Sequence, residues 1–284
     1  MSASSDVVVG NLRKMVTSLE SPVKYQLLLC NEQGDHHVDM NAHIGHSIRL
    51  NYCGEINCVH CGRKTKKSFG QGHCYPCFRD LPQCDGCIMK PETCHFDAGT
   101  CRDPEWGQAN CFQDHYVYLA NSSGVKVGIT RGTQIPTRWM DQGATQALPI
   151  FRVNNRLQSG LVEVALKKHV ADKTDWRKML KGIANPVELQ EARETLVAQC
   201  SEELDEIRAR CGDDAISYLP DEALVDIAFP VNEYPEKVKS FNFDKTPQID
   251  GILNGIKGQY LILDTGVINI RKFGGYRVEF SSEA

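Results

Sequence analysis

Thirteen cysteines occur in this chain, and nine of them fall within residues 58–111. The first four form two Cys-x-x-Cys pairs, Cys58/Cys61 and Cys74/Cys77, twelve residues apart. A cluster this dense has too few apolar residues around it to fold on a hydrophobic core, so a staple must hold it. In a reducing compartment the staple is a metal rather than a disulfide. Two thiolates on one tight turn can face one ion, and two such turns supply the tetrahedral sulfur set of structural zinc. Gly62, directly after Cys61, suits the turn. Four thiolates also suit an iron–sulfur cluster, but those clusters use other spacings. A thioredoxin-type redox motif occurs singly after a strand, whereas these pairs come in ligand-like groups.

Cys84-Asp-Gly-Cys87 opens a second set, followed by Cys94, Cys101 and Cys111, with His95 and His115 close by. Five cysteines compete for four places. The reading takes Cys84, Cys87, Cys101 and Cys111 as ligands of a second structural zinc and leaves Cys94 spare. Sites closed by four thiolates have no position for water, so both zincs are expected to be scaffold rather than catalyst. Cys30, Cys53, Cys200 and Cys211 read as core residues.

The remaining composition is that of an ordinary globular protein, with 41% apolar and 24% charged residues among 284. The net charge of −4 hides a division. Residues 58–79 carry five Lys or Arg and no acid, and residues 115–140 carry no acid either. From 185 to 226 twelve acids face three bases. The basic loop Arg63, Lys64, Lys66 and Lys67 lies beside Phe69, His73 and Tyr75, a combination suited to phosphate and base contacts. No apolar run is long enough to span a bilayer, and the N-terminus has no signal-peptide pattern, so a cytoplasmic protein without membrane contact is expected.

Periodicity outlines the elements. Residues 11–20 read as a short helix. Tyr25–Leu29 and Ser47–Tyr52 read as strands separated by a polar loop. Tyr116–Ala120 and Val125–Thr130 flank Asn121-Ser-Ser-Gly124 as a hairpin. Pro136 opens a short helix over Thr137–Gln142, Ile150–Val153 is a strand, and Ser159 caps a helix with Val162, Ala165, Leu166 and Val170 on one face. Asn185-Pro186 starts a long acidic helix that ends at Gly212, a candidate docking element for a protein partner over 186–211. Residues 258–280 read as a three-strand meander whose open face could be covered by strands from the N-terminus, making a small barrel from both chain ends.

The segment HYVYLANSSGVKVGITRGTQIPTRWMDQGA, residues 115–144, resembles the core of the GIY-YIG nuclease fold. Val117-Tyr118 stands for the first motif, Lys126-Val-Gly128 for the second, and Arg138-Trp139 for the helix start. The resemblance extends over 115–181 and places Glu163 where the family carries its metal-binding carboxylate. It implies a nuclease in which Tyr118 positions or deprotonates the attacking water, Arg138 binds the scissile phosphate, and Glu163 holds Mg2+ or Mn2+. Lys126 or Arg131 would add positive charge. Lys126 stands where many active members have Tyr, and no clear match to the family's Asn follows the Glu163 helix. The whole chain also resembles a family of uncharacterised proteins that join Cys-rich ribbons to such a hairpin and end in a tail like Gly255-Ile-Lys-Gly-Gln-Tyr-Leu-Ile262.

The expected architecture is therefore α+β. It comprises an N-terminal β segment (1–53), a double zinc ribbon (54–114), a GIY-YIG-like unit (115–184), an acidic helical segment (185–226) and a C-terminal β meander (227–284). The expected function is nucleic-acid binding with or without metal-dependent cleavage, on DNA or RNA. A protein–protein adaptor is the reading from a different class.

Overall fold

The computed structural model describes residues 7–170 and 175–282. Its first strands are β1 (Val8–Leu12), β2 (Val16–Ser18), β3 (Lys24–Asn31), β4 (Gly34–Asp39) and β5 (Ser47–Ile56). Three short helices follow, α1 (Tyr75–Asp80), α2 (Gly86–Met89) and α3 (Pro104–Cys111). The middle of the chain holds β6 (His115–Asn121), β7 (Val125–Arg131), α4 (Thr137–Asp141), β8 (Gln146–Val153) and α5 (Arg156–Leu166). Next come α6 (Trp176–Met179), α7 (Leu189–Gln199), α8 (Ser201–Cys211), β9 (Ile216–Tyr218) and β10 (Val225–Asp226). The last strands are β11 (Gln248–Lys257), β12 (Tyr260–Leu263), β13 (Gly266–Asn269) and β14 (Tyr276–Ser282).

These strands make two antiparallel sheets. The larger runs β13-β12-β11-β5-β14-β1-β3-β2, with β4 on the edge of β3. Both chain ends enter it: β14 lies between β1 and β5, and β5 pairs on its other side with β11. The sheet wraps as half a barrel around one core that also takes Tyr118, Trp139 and Ala147 from the middle of the chain. The smaller sheet runs β10-β8-β6-β7 with β9 beside β8. Its other face packs Val117, Leu119 and Ile150 against α5, α7 and α8. The alternation of β6 explains the double duty, because Val117 and Leu119 face one core while Tyr118 and Ala120 face the other.

Several sequence expectations hold and several change. The mixed α+β class holds, and strands from both chain ends do share a sheet. The helix expected over 11–20 is replaced by β1 and β2, where Val8, Val9, Val16 and Thr17 favour extended backbone. The polar loop with His36 and His37 is β4, an edge strand that pairs only with β3 and can stay polar. The terminal meander is β11-β12-β13, and β14 leaves it to pair with β1 and β5. Asn155, not Ser159, caps α5, its side chain accepting from the Gln158 N–H, and Ser159 lies buried within the helix. The long acidic helix is broken at Cys200 (φ −106°, ψ 14°), whose thiol is buried against the Ala165 carbonyl of α5. Cys53 is exposed rather than in a core.

Lys257 of β11 is fully buried. Its Nζ donates to the Gly182 carbonyl at 2.9 Å and sits 5.3 Å from the Tyr234 ring centroid. Burial lowers its pKa to about 8, from 10.5. The folded state therefore holds this proton less tightly than the unfolded chain does. The cost is full below about pH 8 and disappears as pH rises toward 10.5. Unfolding free energies of the wild type and Lys257→Met, measured by urea denaturation between about pH 7.5 and 10.5, should converge or cross as the wild type gains up to about 3 kcal/mol relative to the variant. A constant difference across that range would contradict the account.

Candidate metal centre and cationic pocket

The chain between β5 and α1 forms one knuckle and one helix start. Asn57 and Lys64 bridge as a minimal hairpin, with Cys58 and Cys61 on its turn and Gly62 at φ +72°. Cys74 is the residue before α1, and Cys77 lies within that helix, where burial and then Cys74, Cys61 and Cys58 push its thiol pKa up. The second pair thus sits at a helix start and not on a second knuckle. The four sulfurs all lie within 4.8 Å of one another, and those of Cys61 and Cys74 are 3.7 Å apart. A thiolate tetrahedron around zinc has Zn–S distances of about 2.3 Å, hence edges of about 3.8 Å. Burial opposes ionisation of Cys58, but backbone N–H groups of Cys61, Cys74 and His60 outweigh it and draw its pKa down to about 6. This four-cysteine cluster can hold a metal ion such as zinc.

The metal centre is fastened to the large sheet through the tail. The Asn57 N–H donates to the Gly275 carbonyl at 2.8 Å, and the Gly275 N–H donates to the Leu12 carbonyl at 2.8 Å. Asn11 Nδ2 bonds both Asn57 Oδ1 and the Gly275 carbonyl at 2.9 Å. Gly275 has φ +85°, and a Cβ there would collide with the Asn57 carbonyl oxygen.

The four catalytic candidates converge, although they come from four elements. Tyr118 and Gly128 are directly opposite in the β6–β7 ladder. A Cβ on Gly128 would lie 2.6 Å from the Tyr118 ring, so only Gly lets that ring lie flat across β7. The Tyr118 hydroxyl donates to Gln142 Oε1 at 3.0 Å and faces the Arg138 guanidinium of α4. The ring also meets Trp139 edge-on at 5.9 Å. Burial raises the pKa of Tyr118 to about 12, with Arg138 opposing. Lys126 of β7 is buried; burial and then Arg138 lower its pKa to about 8, with Glu163 opposing. Glu163 of α5 is shifted upward by burial, against Lys167 and Arg138. Its carboxylate is 3.2 Å from Lys167 Nζ, the i,i+4 pair visible in the sequence.

Arg271, a cation that no motif marks, joins this group, and Arg156 borders it. Arg271, from the turn before β14, feels burial first and then the charge of Arg138, and both lower its pKa. Its Nε donates to Gln71 Oε1 of the metal-centre loop at 2.7 Å, and its Nη1 lies 4.0 Å from Asp141. Arg156, at the start of α5, is depressed by burial and then by Arg131 and Arg138, with Cys111 and Cys87 opposing, and its Nη2 donates to the Ile88 carbonyl beside the second cysteine set. Asp141 does not pair with Arg138, the partner that sequence proximity suggests. It binds Lys14 Nζ at 2.7 Å and accepts from Gln259 Nε2 at 2.9 Å. Arg271 could be found only through the fold, since Gln71, Arg138 and Asp141 are all remote from it in sequence.

The proposed nucleic-acid contacts divide. Lys66 and Lys67 are exposed, Lys64 is 3.1 Å from Glu55, and Arg63 faces the Cys61 sulfur. Arg131 donates from Nη1 to Asn110 Oδ1 at 3.0 Å. In the second cysteine set, Cys87, Cys94, Cys101 and Cys111 line one small cavity together with Trp106, while Cys84 does not.

No curated protein and no solved structure matches the chain. A family model described as a protein of unknown function, DUF2797, matches residues 45–278. That span reaches from β5 through the metal centre and the cationic pocket into β14.

Gly275→Ala should lower stability by roughly 2 kcal/mol or more and speed loss of metal to a chelator, since strained backbone alone costs about 1–3 kcal/mol. Gly54 also has positive φ (+76°) but open space around it, so Gly54→Ala should cost only about 1 kcal/mol and leave metal retention unchanged. Urea denaturation and zinc release followed with a chromogenic chelator check both. Covering most of its folded length, the family match establishes that this chain belongs to the DUF2797 family.

Proposed function

We propose that this protein binds nucleic acid at the cationic pocket and cleaves a phosphodiester there, in the manner of the GIY-YIG nucleases that its central segment resembles, with the four-cysteine centre holding a structural zinc. One observation carries the reading. Lys126 and Arg271 are buried beside Arg138, whose charge is the next influence on each after burial, and Arg156 lies at the edge of the same group. Concentrating like charge in a partly buried pocket is unfavourable unless an anion enters it, and phosphate is the anion that guanidinium groups match best.

The roles follow from position. Arg138 and Arg271 would hold non-bridging phosphate oxygens. The Tyr118 hydroxyl, kept protonated by burial and fixed by Gln142, would orient the attacking water by hydrogen bonding rather than remove its proton. Lys126 would place positive charge where the leaving oxygen becomes negative. Glu163 supplies a hard oxygen donor, and Glu92 is its acidic neighbour, a donor set that suits Mg2+ or Mn2+ completed by water and phosphate. A divalent ion bound there would polarise the phosphoryl group and acidify a coordinated water. The exposed Lys66 and Lys67 extend the positive surface from the metal-centre loop.

A binding-only reading is favoured by two observations, the full burial of Tyr118 and the engagement of Glu163 by Lys167. Labelled single- and double-stranded DNA and RNA, incubated with Mg2+ or Mn2+, separate the two. Cleavage should fall about 10²-fold or more in Glu163→Gln with binding retained, the size expected for losing one transition-state contact. Arg138→Ala should weaken binding and reduce the salt slope by about one. Salt-sensitive binding with no cleavage in wild type or Glu163→Gln would establish the binding-only reading, and no affinity at moderate salt would reject both.

A further inference from the structure

Residues 82–114 contribute nothing to any of the buried hydrophobic clusters among the described residues. Only Pro82, Pro91 and Gly107 are buried in that stretch, and its helices are α2, α3 and two single turns. Hydrophobic burial does not account for so ordered a segment. At its centre is a cavity of about 20 Å3, enough for one ion or one water. Four thiols line it: Cys87 from α2, Cys94 from the turn after Pro91, Cys101 from the loop before α3, and Cys111 from the end of α3.

We propose that this cavity is a second metal site, a structural zinc held by Cys87, Cys94, Cys101 and Cys111. The set differs from the one that spacing favours, in which Cys84 takes the place of Cys94. Charge proximity agrees with the cavity. Cys87 feels Cys94, Cys101 and Cys111, whereas the charged neighbours of Cys84 are Arg102 and Cys58. The ligand atoms of Asp85, Cys87 and His95 lie within 4.8 Å of one another, closer than the sulfurs of Cys94, Cys101 and Cys111 lie to each other, so binding an ion would draw those sulfurs inward. Asp85 and His95 are both committed elsewhere. Asp85 pairs with Arg102 Nε at 2.9 Å and with His95 at 3.4 Å, and His95 Nδ1 bonds Thr100 Oγ1 at 2.8 Å. They form an outer rim in which Asp85 holds Arg102, the cation whose charge opposes that of a Zn–thiolate centre. The same segment lays Pro91 and Glu92 directly on Gly160 of α5, one turn from Glu163. The second ion would thus fix the outer side of the cationic pocket, whatever that pocket does.

Zinc released from the reduced full-length protein by a mercurial, counted with a chromogenic chelator, tests the site. Two zinc ions per chain are expected for wild type and for Cys84→Ser, and one for Cys94→Ser. One ion in wild type would overturn the proposal. So would loss of an ion in Cys84→Ser with two retained in Cys94→Ser, or loss in His95→Ala with two retained in Cys101→Ser. Should Cys94→Ser be insoluble, wild type reconstituted with Co2+ decides. Thiolate charge-transfer absorption for eight sulfurs in wild type, kept in full when Cys84→Ser is reconstituted the same way, supports the set, and absorption for fewer in either refutes it.

Discussion

Everything from Asn57 to Asp114 folds without contributing a residue to a buried hydrophobic cluster, so its order depends on thiolates and on anchorage to the two sheets. The anchorage is asymmetric. The four-cysteine centre is bonded to the large sheet through Asn57, Gly275 and Asn11. The second cysteine set rests on α5 of the smaller unit through Pro91 and Glu92. A segment with no core of its own thereby spans two elements that do have cores. Its geometry can be no better than those few polar contacts and the ions it can hold.

Between these anchorages lies the cationic pocket. Its members are placed by rigid elements, which is what positioning of a phosphate requires. Tyr118 is locked by Gly128 and Trp139, and Arg138 sits on α4 directly after the cis Ile135–Pro136 bond. Arg271 bonds Gln71 of the metal-centre loop on one side and approaches Asp141 on the other, so the C-terminal tail ties metal centre and pocket together.

The electrostatics around Arg138 differ from those around Asp141. A structural ion-pair network balances its charges, as Lys14 and Gln259 do around Asp141. Around Arg138, Lys126 and Arg271 are lowered in proton affinity first by burial and then by the charge of Arg138. Burying like charges side by side lowers the stability of the folded protein.

Local chemistry fixed whatever depended on a few consecutive residues. The Cys-x-x-Cys spacing identified the first set of four cysteines, the Asn121–Gly124 turn the hairpin, and the β-branched runs most strands of the tail, because turn geometry and strand preference act over a few positions. The sequence misled where local preference was weak. Residues 11–20 carried too little pattern to reveal two strands, and the stripe through 189–211 continued across Cys200 although the backbone does not. Tertiary structure alone decided which strands are neighbours, since β14 is captured by β1 and β5 rather than by β13, the strand before it. It also decided that Arg271 meets Arg138 and that Cys94, rather than Cys84, faces the second cavity. Those outcomes depend on which surfaces bury each other over long separations, and no local spacing encodes that.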